Sequence, residues 1–141
     1  MAAYRTCSEE ETIALGERIA HLLPPRALVL LIGELGAGKT TLAKGIVKGL
    51  GAADPEEVSS PTFTLIHEYG EGRVFHIDLY RLDRASEVEA LGLDELMEAN
   101  AVMLVEWGER FPGVWPADRV EIELKAHGDE REIEVRMPEE A

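Results

Sequence analysis

Residues Gly33-Glu34-Leu35-Gly36-Ala37-Gly38-Lys39-Thr40 complete the pattern G-x-x-x-x-G-K-S/T, and Thr41 follows. The chemistry this spacing predicts is the wrapping of a nucleoside triphosphate. A triphosphate carries several negative charges, and backbone N–H groups can surround it only where no Cβ collides with phosphate or strains the loop. Gly33, Gly36 and Gly38 stand at such positions. Lys39 is then expected to bring an ammonium to the β- and γ-phosphates. Thr40 is expected to add its hydroxyl to a Mg²⁺ shell at the start of the next helix, where the helix dipole also favours anions. The whole run Glu34, Leu35, Gly36, Ala37, Gly38, Lys39, Thr40 and Thr41 is the expected nucleotide-binding segment.

Phosphoryl transfer also needs an acidic group at Mg²⁺ and a polar group that orients the attacking nucleophile. Two strand ends offer carboxylates: Asp78 closes Val74-Phe75-His76-Ile77, and Glu106 closes Val102-Met103-Leu104-Val105. In open α/β sheets ligands bind beyond the carboxyl ends of strands, where both acids would emerge. Which of them touches the metal and which works through water stays open. Ser59-Ser60-Pro61-Thr62 lies between the loop helix and the next strand, where a hydroxyl can sense the γ-phosphate. Thr62 is the residue expected to do so, its alternative role being a turn residue that starts a strand. His76 reads as a packed, hydrogen-bonded strand residue rather than a base. Trp107 either lies close to the nucleotide or packs against the loop that follows it.

These groups need elements to hold them. Ala27-Leu28-Val29-Leu30-Leu31-Ile32 is a buried-strand run leading into the glycine loop, and Thr41 to Val47 has helical spacing behind it. Ser8-Glu9-Glu10-Glu11 is a capping box for a helix running from Thr12 to Leu23, stopped by Pro24-Pro25. Thr62 to Tyr69 and Arg73 to Leu79 read as a hairpin around Gly70-Glu71-Gly72. Ala85 to Met97 reads as two short helices broken at Gly92, Ala101 to Val105 as a buried strand, and Trp107 to Asp118 as an irregular loop. Val120 to Leu124 and Glu132 to Arg136 alternate around Gly128-Asp129 as a terminal hairpin. The expected fold is α/β, a P-loop NTPase-like arrangement of three layers with a mixed sheet, parallel at its centre and carrying antiparallel hairpins.

Bulk properties narrow the function. With 141 residues the chain is expected to be a single domain spanning 1–141. No apolar run approaches the length of a membrane span, and Met1-Ala2-Ala3-Tyr4-Arg5 lacks the core of a secretory signal, so no membrane role and a cytoplasmic location are expected. The lone Cys7 excludes an internal disulfide and is read as a packing residue. A net charge of −14 is the opposite of a nucleic-acid-gripping footprint. RNA contact would have to be shared with a partner.

The ordered set of blocks, the glycine loop, Ser60-Pro61-Thr62-Phe63, His76-Ile77-Asp78-Leu79-Tyr80-Arg81-Leu82 and Val105-Glu106-Trp107, resembles the bacterial TsaE family over essentially the whole chain. The resemblance implies a small Mg²⁺-dependent ATPase that joins the TsaB and TsaD proteins in tRNA threonylcarbamoyladenosine synthesis. The ATPase so implied does not itself perform the transfer and meets tRNA only through the complex. It puts Lys39 and Thr40 on the phosphates and Mg²⁺, Thr62 in a switch-like segment, and Asp78 and Glu106 at the metal and the water. GTP specificity is not expected, because no N-K-x-D segment exists; the only asparagine, Asn100, precedes Ala101-Val102. A small-molecule kinase and a nucleotide-gated assembly module with incidental hydrolysis are the alternatives. No arginine is evident in the sequence as an intrinsic charge-stabilising finger.

Overall fold

The computed structural model describes residues 2–61 and 65–138. One seven-stranded sheet organises them in the order β1-β7-β6-β2-β5-β4-β3. Its strands are β1 (Ala2–Thr6), β2 (Ala27–Ile32), β3 (Ile66–Tyr69), β4 (Val74–Asp78), β5 (Val102–Glu106), β6 (Val120–His127) and β7 (Glu130–Arg136). The helices are α1 (Glu9–Ala20), α2 (Lys39–Gly49), α3 (Ala85–Glu89) and α4 (Leu93–Glu98). Pairing is parallel for β6 with β2, β2 with β5 and β5 with β4, and antiparallel at both margins. The expected mixed sheet is therefore present. Because β1 and β6 both oppose β7, the strands β1, β6, β2, β5 and β4 all run the same way. Their carboxyl ends share one edge.

Two apolar clusters, one on each face of the sheet, make the three layers. Val29, Leu31, Leu104 and Ile122 pack with α1 and α2, whereas Leu28, Leu30, Met103 and Val105 pack with the segments carrying Val88, Leu93, Phe111 and Trp115. The split follows the twofold alternation of strand side chains. All five residues of β5 are buried, as expected of a central strand covered on both faces. On the first face, α1 and α2 cross at glycine contact. A Cβ at Gly45 would stand 2.0 Å from the Ile13 carbonyl oxygen, and one at Gly16 would stand 2.5 Å from that of Leu42. Close approach of the two backbones thereby fixes α2, whose first residues are Lys39 and Thr40.

The element reading holds with local differences. The Ser8 hydroxyl caps α1 by accepting from the Glu11 N–H at 3.1 Å, while Glu11 Oε1 accepts from the Cys7 N–H at 2.7 Å, one residue earlier than a standard box. The helix stops at Ala20, short of Leu23. Gly92, at φ 76°, separates α3 from α4 as its position predicted. The terminal hairpin turns on Gly128-Asp129 but its strands are longer than their alternation indicated. No strand was legible in Ala2–Thr6. It is an edge strand, mostly exposed, held by backbone pairing to β7, so it carries no hydrophobic period. Cys7 is exposed, which corrects its reading as a packing residue.

Candidate nucleotide site

β2 delivers the chain to Gly33, and the loop closes at Gly38, whose φ of 101° is a conformation that glycine adopts without steric cost. Gly38 is also the N-cap of α2 and makes no side-chain cap, so the first N–H groups of the helix are left for another acceptor. Ala37 is buried and Leu35 is 77% exposed, so the loop is anchored at one residue and open at another. Gly36, Gly38, Leu35, Lys39, Thr40 and Thr41 line a cleft of about 690 Å³ together with Ser60, Asp78, Glu106 and Trp107. Most of the expected segment is thus gathered in one cavity. Glu34 stands beside it, close enough to act electrostatically on Lys39. Thr62 lies outside the described residues.

Lys39 is only 4% exposed. Its Nζ donates to the Gly33 carbonyl at 2.6 Å and sits 3.5 Å from the centre of the Trp107 ring, a cation–π contact. Burial pushes its pKa below the ordinary lysine value, and the carboxylates of Glu106, Glu109, Asp78 and Glu34 oppose that shift. Trp107 reaches this position with φ 67°, a left-handed conformation costly for a residue with a Cβ, and its ring centre lies 5.1 Å from that of Tyr80. Trp107 lines the cleft and packs against Tyr80.

The parallel register of β4 and β5 sets Asp78 directly opposite Glu106. Glu106, 4% exposed, accepts at Oε2 from the Thr40 hydroxyl at 3.0 Å and lies 2.6 Å from His76 Nε2. His76 is fully buried and its Nδ1 has no partner among the described residues. That pattern suits a neutral ring with Nε2–H donating to Glu106, because a second N–H would leave a buried donor unmet. The expectation of a packed, hydrogen-bonded His76 holds, and its bond fixes the carboxylate. Asp78 accepts from the Tyr80 N–H at 2.8 Å and from the Ser60 hydroxyl at 3.1 Å. The hydroxyl of Thr40 and the carboxylates of Glu106 and Asp78 form an oxygen-only donor set, which fits a hard divalent cation. Among the described residues no group of three or more His, Cys, Asp or Glu side chains forms a protein cage for a metal. Mg²⁺ does not require one, since it usually keeps waters and takes phosphate oxygens.

Two residues in or near the cleft escaped the sequence reading. Arg131, far along the chain at the start of β7, lines it as well, so an arginine does stand at the site. Glu109 carries a buried Oε1 without a partner among the described residues and acts electrostatically on Lys39. For Glu109 the run Glu106-Trp107-Gly108-Glu109 gave a local signal in its second acid; for Arg131 no sequence signal existed.

The chain is similar to known proteins in sequence and fold. The family model described as "Threonylcarbamoyl adenosine biosynthesis protein TsaE" matches residues 6–133. The tRNA threonylcarbamoyladenosine biosynthesis protein TsaE of Bacillus subtilis is 44% identical over 133 residues, covering 92% of this chain and 82% of the relative. That of Aquifex aeolicus is 41% identical over 133 residues, covering 92% and 90%. The crystal structure of Bacillus subtilis YdiB superposes with a TM-score of 0.74 at 38% identity, covering 94% of this chain and 82% of that one. Fold, site blocks and sequence together place the chain in one family: it belongs to the TsaE family of tRNA threonylcarbamoyladenosine biosynthesis proteins.

Proposed function

We propose that the chain binds Mg-ATP in the cleft beneath the glycine loop and hydrolyses it in support of threonylcarbamoyl transfer to tRNA. The transfer itself belongs to the TsaB–TsaD pair on which the chain docks in the cytoplasm. The observation that carries this reading is the meeting of Lys39, Thr40 and Glu106 at the open N-terminus of α2. Lys39 is held by one carbonyl and one aromatic face, neither a full counter-charge, so an anionic phosphate is a better partner for its ammonium. Thr40 and Glu106 would hold Mg²⁺, and Asp78, already engaged by Tyr80 and Ser60, would act through water. Bound there, Mg²⁺ would neutralise charge on the transferring phosphate. His76 keeps Glu106 oriented, and Thr62 senses the γ-phosphate.

The net charge of −14 supports action on tRNA through protein partners rather than by direct grip. Among the described residues no helix is long and apolar enough to cross a membrane. A second reading, a nucleotide-gated assembly module with incidental hydrolysis, is favoured by two exposed apolar side chains at the cleft, Leu35 at 77% and Tyr80 at 48%. Phosphate release from ATP by the chain alone and with TsaB–TsaD, alongside threonylcarbamoyl transfer, tests both. Hydrolysis that rises with the pair and is required for repeated transfer supports the first reading. Transfer that needs ATP binding but survives a hydrolysis block supports the second, and indifference to ATP refutes both.

A further inference from the structure

Asp78 is held by a backbone that is itself held from across the sheet edge. Its carboxylate accepts from the Tyr80 N–H at 2.8 Å, and Tyr80 lies in the turn that the Leu82 N–H closes on the Leu79 carbonyl at 3.0 Å. The Tyr80 carbonyl belongs to the central peptide of that turn, the peptide whose rotation distinguishes a type I turn from a type II turn. Arg110 Nη1 donates to this carbonyl at 2.7 Å, so the guanidinium crosses from the segment after β5 to the segment after β4. A hydrogen bond from a charged donor is stronger than a neutral one.

Arg110 reaches over from a rigid base. It ends the single helical turn Gly108–Arg110, which follows Trp107 directly. The Gly108 carbonyl accepts from Trp115 Nε1 at 2.8 Å and from the Phe111 N–H at 3.0 Å. A Cβ at Gly108 would stand 2.9 Å from Leu30 Cδ2, so this turn packs against β2. The second contact of the guanidinium, Nη2 to Asp83 Oδ1 at 3.7 Å, adds little, because the Asp83 side chain is 87% exposed and solvent screens the pair. Arg110 lines a groove with Asp83, Val88 and Phe111, apart from the cleft that Lys39 and Glu106 line. Its route to the site runs through the Tyr80 peptide.

We propose that Arg110 is a positioning residue: by pinning the Tyr80 carbonyl it keeps the Tyr80 N–H on Asp78, and so fixes the carboxylate that acts through water; this rests on the nucleotide reading above. Without the pin the turn peptide can rotate, the Tyr80 N–H leaves Asp78, and the carboxylate turns toward other rotamers. The Ser60 hydroxyl, 3.1 Å from the other Asp78 oxygen, holds that oxygen alone. Lys39 and the glycine loop keep their own contacts, so nucleotide affinity is spared.

The test has two readouts on the full-length chain and its Arg110→Ala, Arg110→Lys and Asp83→Ala variants. In the nucleotide-free proteins, amide exchange at Tyr80 should quicken about 10-fold in Arg110→Ala and stay parental in Asp83→Ala. Arg110→Lys should recover most of the protection, since the carbonyl needs one N–H and an ammonium offers it. With the TsaB–TsaD pair present, Arg110→Ala should lose about 10-fold in kcat for ATP hydrolysis and need more Mg²⁺ for half its maximum, at a KM for ATP within about twofold of the parent. Added to Asp78→Ala, it should cost nothing further, because both changes act on one carboxylate. Parental exchange or parental kcat in Arg110→Ala, additive losses in the double variant, a change confined to KM, or a global fall in amide protection that accounts for the loss would each overturn the proposal while leaving the nucleotide reading intact. A parent chain that neither binds nor hydrolyses ATP would overturn both.

Discussion

Glu106→Ala and Glu106→Gln should differ in stability before any nucleotide is present. In the alanine variant His76, fully buried and already lacking a partner at Nδ1, loses the acceptor for Nε2 as well. An unmet buried group costs about 1–3 kcal/mol, and the lost methylene adds about 0.8 kcal/mol before any cavity. Thr40 is only partly buried and can turn its hydroxyl to water, so it adds little. Relief of a desolvated carboxylate offsets some of this, leaving a net loss of about 1–3 kcal/mol. Glutamine keeps an oxygen facing both donors. Its two bonds weaken by about 1 kcal/mol each, and the removed buried charge returns a similar amount, so the net change stays within about 1 kcal/mol. For 141 residues at about 2.1 cal/mol/K each, 3 kcal/mol corresponds to a midpoint shift of about 10 °C. Thermal and urea unfolding of the unliganded variants reads this directly, and phosphate release then reads function, which both variants should lose. Equal midpoints for alanine and glutamine would refute the His76–Glu106 bond as a stabilising contact. Parental hydrolysis in either variant would remove Glu106 from the proposed chemistry.

Lys39→Ala should abolish tight Mg-ATP binding in calorimetric titration, and parental affinity in a folded variant would remove the glycine-loop assignment. Lys39 also gives a pH signature. A lysine whose pKa is lowered by burial gives up its proton from the folded state first, so folding stability rises as pH climbs from that lowered pKa toward the unfolded value of about 10.4. Measured against Lys39→Met by urea unfolding over this alkaline range, the parent should gain stability with pH; a flat or falling difference contradicts the burial. Gly45→Ala should cost about 3 kcal/mol or more, because its Cβ would stand 2.0 Å from the Ile13 carbonyl oxygen and α1 would have to move off α2. A parental midpoint would refute that helix crossing. Isolated from partners, the chain should not bind tRNA at physiological salt, and tight binding in a filter or anisotropy assay would refute partner-mediated action.

What the sequence determined by itself was local. The glycine loop, the strand before it and the helix after it are contiguous, so residue types and spacing predicted all three. Asp78 and Glu106 were legible as strand terminators, because a carboxylate that ends a buried apolar run must emerge at a sheet edge. That they stand side by side was decided by the β4–β5 register, and β5 is buried on both faces with no alternation to encode a register. The same register brings His76 to Glu106. Folding alone seats Lys39 on Trp107, and only the neighbouring position of the β6–β7 turn sets Arg131 against a loop more than ninety residues earlier in the chain. The edge strand β1 gave no signal because backbone pairing, which any side chain permits, holds it. Contiguous chemistry can be read along a chain; contacts between distant segments depend on register and layer packing, which become definite only when the sheet is assembled.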